Sequence, residues 1–250
     1  MSCIIAMAGK GGVGKTTVAC LLARIIKENK LGSILVVDAD PNNNLGETFG
    51  LRVKEGLSCI LDEIGTDPKI VPINMGKDAF IEYRVQSAII EADGFDLLTM
   101  GKPEGPGCYC YVNNVLRNVM DKLSKNYDFV IIDNEAGLEH LSRRTIRKVD
   151  TMVVVSDPTV AGLRAAERIS KLTKGLDIEV KKEFLIINRC DNNISLGKPE
   201  DFKIKYLGFL PIDPEIENFS RNGLPLMNLS SSNKTMSALR KLGEKIWLCN

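Results

Sequence analysis

Short apolar segments alternate with segments of helical periodicity along almost the whole chain. Six apolar segments are continuous, and a seventh is weaker: they cover 3–8, 33–40, 95–101, 129–134, 151–157, 183–189 and, the weaker one, 206–213. Continuous apolar strands are typical of a parallel sheet covered by helices on both faces. The pattern therefore predicts an α/β fold with a single doubly wound, mostly parallel sheet flanked by helices.

Three intervening segments carry apolar stripes at helical spacing. The stripes are Val18, Leu21, Leu22, Ile25 and Ile26; Val112, Val115, Leu116, Val119 and Leu123; and Val160, Leu163, Ala166, Ile169 and Leu172. No linker or repeat interrupts the pattern, so we expect one domain over residues 1–250. Residues 41–94 are the least periodic part, and the sequence predicts no layout for them.

Charge and hydropathy narrow the functional classes. The chain has 33 basic and 32 acidic residues, and this balance argues against nucleic acid as a partner. No apolar run approaches the roughly 20 residues that span a bilayer. The seven cysteines are odd in number and scattered, which favours a reducing compartment and a cytoplasmic location.

The stretch GKGGVGKTT lies between the first apolar segment and the first helical stripe. It fits the pattern G-x-x-x-x-G-K-[ST], which cradles phosphate with backbone N–H groups at a helix N-terminus. The lysine at the end of the pattern reaches the β- and γ-phosphates, and the hydroxyl that follows it binds Mg²⁺. We therefore predict a nucleotide site formed by Gly9, Gly11, Gly12, Val13, Gly14, Lys15, Thr16 and Thr17, with Thr16 on the magnesium ion.

A second lysine, Lys10, is not needed for that cradle. The stretch GKGGVGKT resembles the deviant Walker A motif of the ParA, MinD and nitrogenase iron protein class. The resemblance implies a P-loop ATPase that binds ATP and Mg²⁺ and forms an ATP-dependent homodimer, in which Lys10 reaches the partner's phosphates. It covers nearly the whole chain.

Two further stretches match motifs of the same class. VVDADP places Asp38 and Asp40 at the end of the second predicted strand, where a parallel sheet exposes its ligand-binding edge. The resemblance implies that Asp40 orients the attacking water, with Asp38 beside it. In FVIIDNEAG it implies that Asp133 holds Mg²⁺ through water and that Gly137 senses the γ-phosphate.

The nucleoside contacts follow from weaker motifs. IINR supplies Asn188 and Arg189, and PIDPEI supplies Pro211 and Asp213. We expect Asn188 at the adenine edge and the other residues near the base.

Members of the class couple ATP to different tasks. Residues 133–147 contain no cysteine, which excludes a nitrogenase-type reductase, and a C-x-x-C scaffold motif near the C-terminus is absent. The C-terminal segment has an apolar stripe of Met236, Leu239, Leu242 and Ile246 with basic neighbours. Such a stripe fits either docking onto the sheet or binding to a membrane surface. We expect the former and no stable membrane association.

Cys108 and Cys110 flank a single tyrosine just before the second helical stripe. Chance, a disulfide, a redox pair and half of a metal site all remain possible, although a disulfide across one residue is strained. A helix N-terminus lowers the pKa of nearby thiols and favours the metal-binding thiolate. Two thiolates half-fill a four-ligand nickel or zinc site, and a second copy of the loop across a two-fold axis is the simplest completion.

The stretches GCYCYVNNVLR, IDNEAGLEHLSRRT and VVVSDPTVAGLRAAERI resemble the CooC-type accessory ATPases that mature nickel enzymes. The resemblance implies that Cys108 and Cys110 bind Ni²⁺, with Zn²⁺ as a possible occupant. The implied client is apo-carbon monoxide dehydrogenase or acetyl-CoA synthase. Glu135 and His140 either transmit the nucleotide state or only begin a helix. The alternative is a MinD- or ParA-type spatial-regulation ATPase without a metal.

Overall fold

The computed structural model contains one sheet of eight strands. It describes residues 2–42, 44–53, 56–101, 118–135, 148–175, 178–191 and 202–247. The strands are β1 (Cys3–Gly9), β2 (Ile34–Asp38), β3 (Ile90–Ala92), β4 (Phe95–Thr99), β5 (Phe129–Asp133), β6 (Lys148–Ser156), β7 (Glu179–Cys190) and β8 (Lys205–Pro211).

The strand order is β3-β4-β2-β5-β1-β6-β7-β8. Every described pairing is parallel except the one between β3 and β4. The predicted fold class is therefore confirmed, and so are the seven predicted strands. The eighth strand, β3, was not predicted.

Helices connect the strands and cover both faces of the sheet. They are α1 (Lys15–Glu28), α2 (Asn44–Phe49), α3 (Leu57–Thr66), α4 (Lys77–Ser87), α5 (described over 118–124), α6 (Val160–Thr173), α7 (Pro214–Arg221) and α8 (Lys234–Trp247). Short 3₁₀ turns lie at Pro68–Ile70 and Leu226–Asn228. Helices α2 to α4 and strand β3 occupy the region for which the sequence predicted no layout.

Two apolar layers hold the helices to the sheet. Side chains of α1, α2 and α8 pack on one face, and those of α3, α4, α5 and α6 pack on the other. The apolar stripe of α1 is fully buried, as its spacing predicts. Burial of such side chains contributes about 1.5–3 kcal/mol each.

The stripe predicted for α6 is only partly buried. Ala166 and Ile169 lie in the core, whereas Val160 and Leu172 are 65% and 62% exposed. These two residues lie at the ends of a helix whose middle contacts the sheet. Helical spacing alone does not show how far along α6 the contact with the sheet extends. The prediction of a buried stripe was therefore wrong at Val160 and Leu172.

Helix α8 packs onto the sheet. Met236, Leu239 and Ile246 are fully buried, and the hydroxyl of Thr151 on β6 donates a hydrogen bond of 2.9 Å to the carbonyl of Ile246. The apolar stripe of the C-terminal segment is therefore part of the hydrophobic core. Among the described residues, no helix is long and apolar enough to cross a membrane.

Three cysteines of the described segments are free thiols, and two of them, Cys20 and Cys190, are buried. Cys3 is disulfide-bonded, which the scattered cysteine positions did not predict.

Candidate functional site

The phosphate loop leaves the carboxyl end of β1, in the centre of the sheet, and leads directly into α1. Gly9 and Gly14 have φ angles of 150° and 97°. A Cβ atom on Gly9 would lie 2.3 Å from the carbonyl oxygen of Val155, and one on Gly14 would lie 2.4 Å from Nδ2 of Asn188. Both positions therefore require glycine on steric grounds and because of their backbone conformation.

Lys15 is held inside this loop. Its side chain is largely buried, and its Nζ donates a hydrogen bond of 3.2 Å to the carbonyl of Lys10. Burial lowers the pKa of the Lys15 ammonium, and the charges of Asp133, Asp40 and Glu135 oppose this effect. The arrangement places a cation among carboxylates at the N-terminus of α1, where phosphate oxygens are stabilised.

Thr16 and Asp133 lie side by side at the end of β5. The Thr16 hydroxyl donates a hydrogen bond of 2.6 Å to Oδ2 of Asp133, while the buried Oδ1 has no partner among the described residues. Burial raises the pKa of Asp133 to about 6, although the hydrogen bond from Thr16 and the positive charge of Lys15 both lower it. A buried carboxylate oxygen without a donor suits a hard divalent cation or its water shell.

Asp38 and Asp40 have different environments. Asp38 is fully buried and accepts hydrogen bonds from the backbone N–H groups of Asp40 (3.1 Å) and Leu45 (3.0 Å). Burial, together with the charge of Asp133 on the neighbouring strand, raises the pKa of Asp38 to about 7. Asp40 accepts from the backbone and side chain of Asn42, both at 2.9 Å. Asp38 therefore shapes the loop that presents Asp40.

A cavity of ≈ 400 Å³ lies over the phosphate loop. It brings together five of the predicted loop residues and Asp40 with four other residues, which are Asn42, Asn44, Glu135 and Arg189. The two asparagines were not singled out from the sequence because nothing in their spacing marks them. The lining residues are Gly11, Gly12, Gly14, Lys15, Thr16, Asp40, Asn42, Asn44, Glu135 and Arg189.

A second cavity of ≈ 400 Å³ adjoins the first and shares Arg189 with it. Arg189 has a positive φ of 57°, and its guanidinium donates a hydrogen bond of 3.0 Å to the carbonyl of Gly12. The lining residues are Thr17, Val18, Asn188, Arg189, Leu210, Pro211, Asp213, Ile216, Glu217, Ser220, Arg221 and Thr235. The four predicted nucleoside residues therefore do meet in one cavity. The α7 side chains were missed, since they carry no motif.

Asn188 and Asp213 use their polar atoms to hold the walls of this cavity. Asn188 donates to the carbonyl of Val13 (2.8 Å) and accepts from the backbone N–H of Arg189 (2.9 Å). Oδ1 of Asp213 caps α7, and Oδ2 accepts from the hydroxyl of Thr235 at 2.7 Å. Asn188 therefore holds the phosphate loop, and Asp213 connects α7 with α8 on the other side of the cavity.

Of the remaining predicted site residues, only Lys10 belongs to the segments that the structure describes. Lys10 is exposed at the surface of the loop. Gly137, Cys108, Cys110 and His140 lie outside the described residues. Among the residues that the structure describes, no group of three or more histidine, cysteine or acidic side chains could hold a metal ion.

The central strand, the glycine-rich loop at its carboxyl end and the lysine, threonine and aspartate around it define the class of P-loop ATPases. A family model described as an AAA domain, AAA_31, matches residues 1–186. The chain belongs to this AAA_31 family.

Relatives of similar length support the assignment. The uncharacterized ATP-binding protein MJ0685 of Methanocaldococcus jannaschii is 40% identical, with 97% of this chain and 98% of that protein covered. The carbon monoxide dehydrogenase accessory protein CooC of Rhodospirillum rubrum is 31% identical, with 90% of each chain covered.

A solved structure shows the same fold. The cell division ATPase MinD of Pyrococcus furiosus superposes with a TM-score of 0.72 at 23% identity, and 98% of each chain is covered.

Proposed function

We propose that the protein is an ATP-dependent nickel metallochaperone that acts as a homodimer and delivers Ni²⁺ to carbon monoxide dehydrogenase or acetyl-CoA synthase. One observation carries the proposal: a CooC relative is similar over 90% of both chains, and this sequence contains the C-x-C motif of Cys108 and Cys110. The proposal includes a cytoplasmic location and excludes nucleic acid as a partner.

ATP binding would use the two adjoining cavities. The triphosphate would occupy the cavity over the phosphate loop, with the Lys15 ammonium at the β- and γ-phosphates. The adenosine would occupy the cavity next to α7. Asp40 faces the phosphate cavity, so its carboxylate would orient the water that attacks the γ-phosphate.

Magnesium fits the oxygen atoms at the end of β5. Thr16 and Asp133 would hold it, because the Asp133 carboxylate has a buried oxygen without a hydrogen-bond donor among the described residues. When bound, magnesium neutralises charge that develops on the phosphate oxygens. The elevated pKa of Asp133 would fall when the cation binds, since the cation favours the charged carboxylate.

Nickel in this proposal is cargo. Two copies of Cys108 and Cys110 would supply four thiolates across the dimer axis, and Zn²⁺ would compete for them. Lys10 is exposed on the loop and would contact the partner's phosphates. ATP would therefore bind one dimer arrangement more tightly than the other, and this difference in affinity would change the metal site.

Elemental analysis of the purified dimer, loaded with nickel in the presence of ATP or ADP, tests the proposal. The double variant Cys108→Ser, Cys110→Ser should lose the single nickel ion per dimer, and Cys59→Ser, a free thiol elsewhere, should keep it. Nickel retained by the double variant would rule out the metal site.

The dimer can be tested separately. Lys10→Ala should abolish ATP-dependent dimerisation in sedimentation while monomers still bind nucleotide. ATP-dependent co-sedimentation of the metal-free protein with liposomes or DNA would instead favour a MinD- or ParA-type role.

A further inference from the structure

Helix α7 forms the outer wall of the nucleoside cavity. Three polar side chains of α7 line this wall: Glu217, Ser220 and Arg221. Glu217 and Arg221 are one helical turn apart on the same face, yet they form no ion pair. The backbone N–H of Glu217 donates a hydrogen bond of 3.0 Å to the carbonyl of Asp213, but among the residues that the structure describes its carboxylate has no hydrogen-bond or ion-pair partner. The cavity therefore has a carboxylate at its rim that no protein group uses.

The other carboxylate and amide side chains among the predicted nucleoside residues are already engaged. Both carboxylate oxygens of Asp213 accept protein hydrogen bonds, and so does the side-chain oxygen of Asn188. A carboxylate without protein donors, exposed at a cavity rim, is suited to accept hydrogen bonds from a ligand.

The arrangement of the cavity indicates which part of a nucleotide meets Glu217. Apolar side chains of Val18, Leu210, Pro211 and Ile216 form surfaces suited to the flat base. In the proposed binding of ATP the phosphates would lie beyond Arg189, which borders both cavities. Between base and phosphates lies the ribose, whose two hydroxyls are donors, and an ionised carboxylate is an acceptor only.

We propose that Glu217 accepts hydrogen bonds from the ribose hydroxyls and makes the site selective for ribonucleotides over deoxyribonucleotides. The inference rests on the proposed binding of ATP in these two cavities. A carboxylate that binds a ribose hydroxyl is a known solution in dinucleotide sites of other folds. Here the acceptor comes from α7, whose N-terminus is fixed by the cap from Asp213.

Calorimetric titration with Mg²⁺ and ATP, 2′-deoxy-ATP or 3′-deoxy-ATP tests the proposal on the full chain. The wild-type protein should bind ATP roughly tenfold more tightly than at least one deoxy analogue, the loss expected for one hydrogen bond to a charged group. Glu217→Gln should remove most of this difference by weakening ATP binding, with less than about a twofold change for that analogue.

The nucleotide affinities would change in the opposite direction if Glu217 did not contact the ribose. If Glu217 were only a surface charge near the triphosphate, Glu217→Gln would strengthen the binding of all three nucleotides by removing repulsion. Equal changes for the three nucleotides would therefore overturn the inference while leaving the ATPase proposal intact. Failure of ATP itself to bind the wild-type protein would overturn both. Glu244→Gln, the same change on the exposed side of α8, should leave all three affinities unchanged.

Discussion

Replacing Asp38 with asparagine should stabilise the nucleotide-free protein at alkaline pH. The side chain is fully buried at the end of β2 and directly opposite Asp133 of β5 in the strand register. Asparagine keeps the shape and one acceptor for the backbone N–H groups of the following loop. It removes a charge that is repelled by Asp133 and not solvated by water.

The magnitude follows from the pKa. The unfolded chain has an aspartate pKa of about 4, and burial raises that of Asp38 to about 7 in the folded protein. The folded state therefore binds more protons between these values, and its stability falls as the pH rises through this window. At about 1.4 kcal/mol per pKa unit the loss is at most roughly 4 kcal/mol.

Urea unfolding followed by the fluorescence of Trp247, the single tryptophan, would measure this effect in the presence of a chelator. At pH 5 the variant should be more stable by only about 1.4 kcal/mol, because Asp38 is then protonated in the folded wild type but already ionised in the unfolded chain. At pH 8 Asp38→Asn should be more stable by about 2–4 kcal/mol.

A difference between variant and wild type that stays the same at pH 5 and pH 8 would refute the reasoning. Asp93→Asn provides the control, since Asp93 is fully on the surface and forms an ion pair with Lys27. Its effect should remain below about 0.5 kcal/mol at both values, the range of exposed ion pairs.

Three other substitutions test other parts of the structure. Gly14→Ala should reduce ATP affinity more than roughly tenfold, because the new Cβ meets Asn188 in a backbone conformation that alanine avoids; unchanged calorimetric affinity would contradict this geometry. Arg24→Met should lower the free energy of unfolding by about 2 kcal/mol, since the buried guanidinium binds the Leu226 carbonyl at 3.0 Å. Leu239→Ala should cost about 3 kcal/mol in urea unfolding if α8 belongs to the core, and almost nothing if α8 leaves the sheet.

The sheet could be predicted from the sequence because its main strands are continuous apolar runs. Strand β3 could not, since it has only three residues and none of them is buried. The exposed ends of α6, Val160 and Leu172, show the same limit: periodicity gives a helix face, while tertiary packing decides how much of that face is covered.

The sequence likewise predicted only part of the candidate site. The phosphate loop is local in sequence, so its residues could be named from the motif alone. The lining residues that the motifs missed come from other segments, such as Asn44 in the phosphate cavity and Glu217 at the rim of the nucleoside cavity. Their contribution depends on how strands and helices pack, and no short motif records it.

The central position of β1 has a consequence for synthesis. This strand is synthesised before the other described strands of the sheet, but its two neighbours are β5 and β6, which end more than a hundred residues later. At ribosomal rates that delay is on the order of ten seconds. Throughout this interval the apolar strand β1 has neither of its neighbouring strands to pair with. We expect nascent chains of this protein to depend on helix α1 or on chaperones to shield β1 until β5 and β6 have been synthesised.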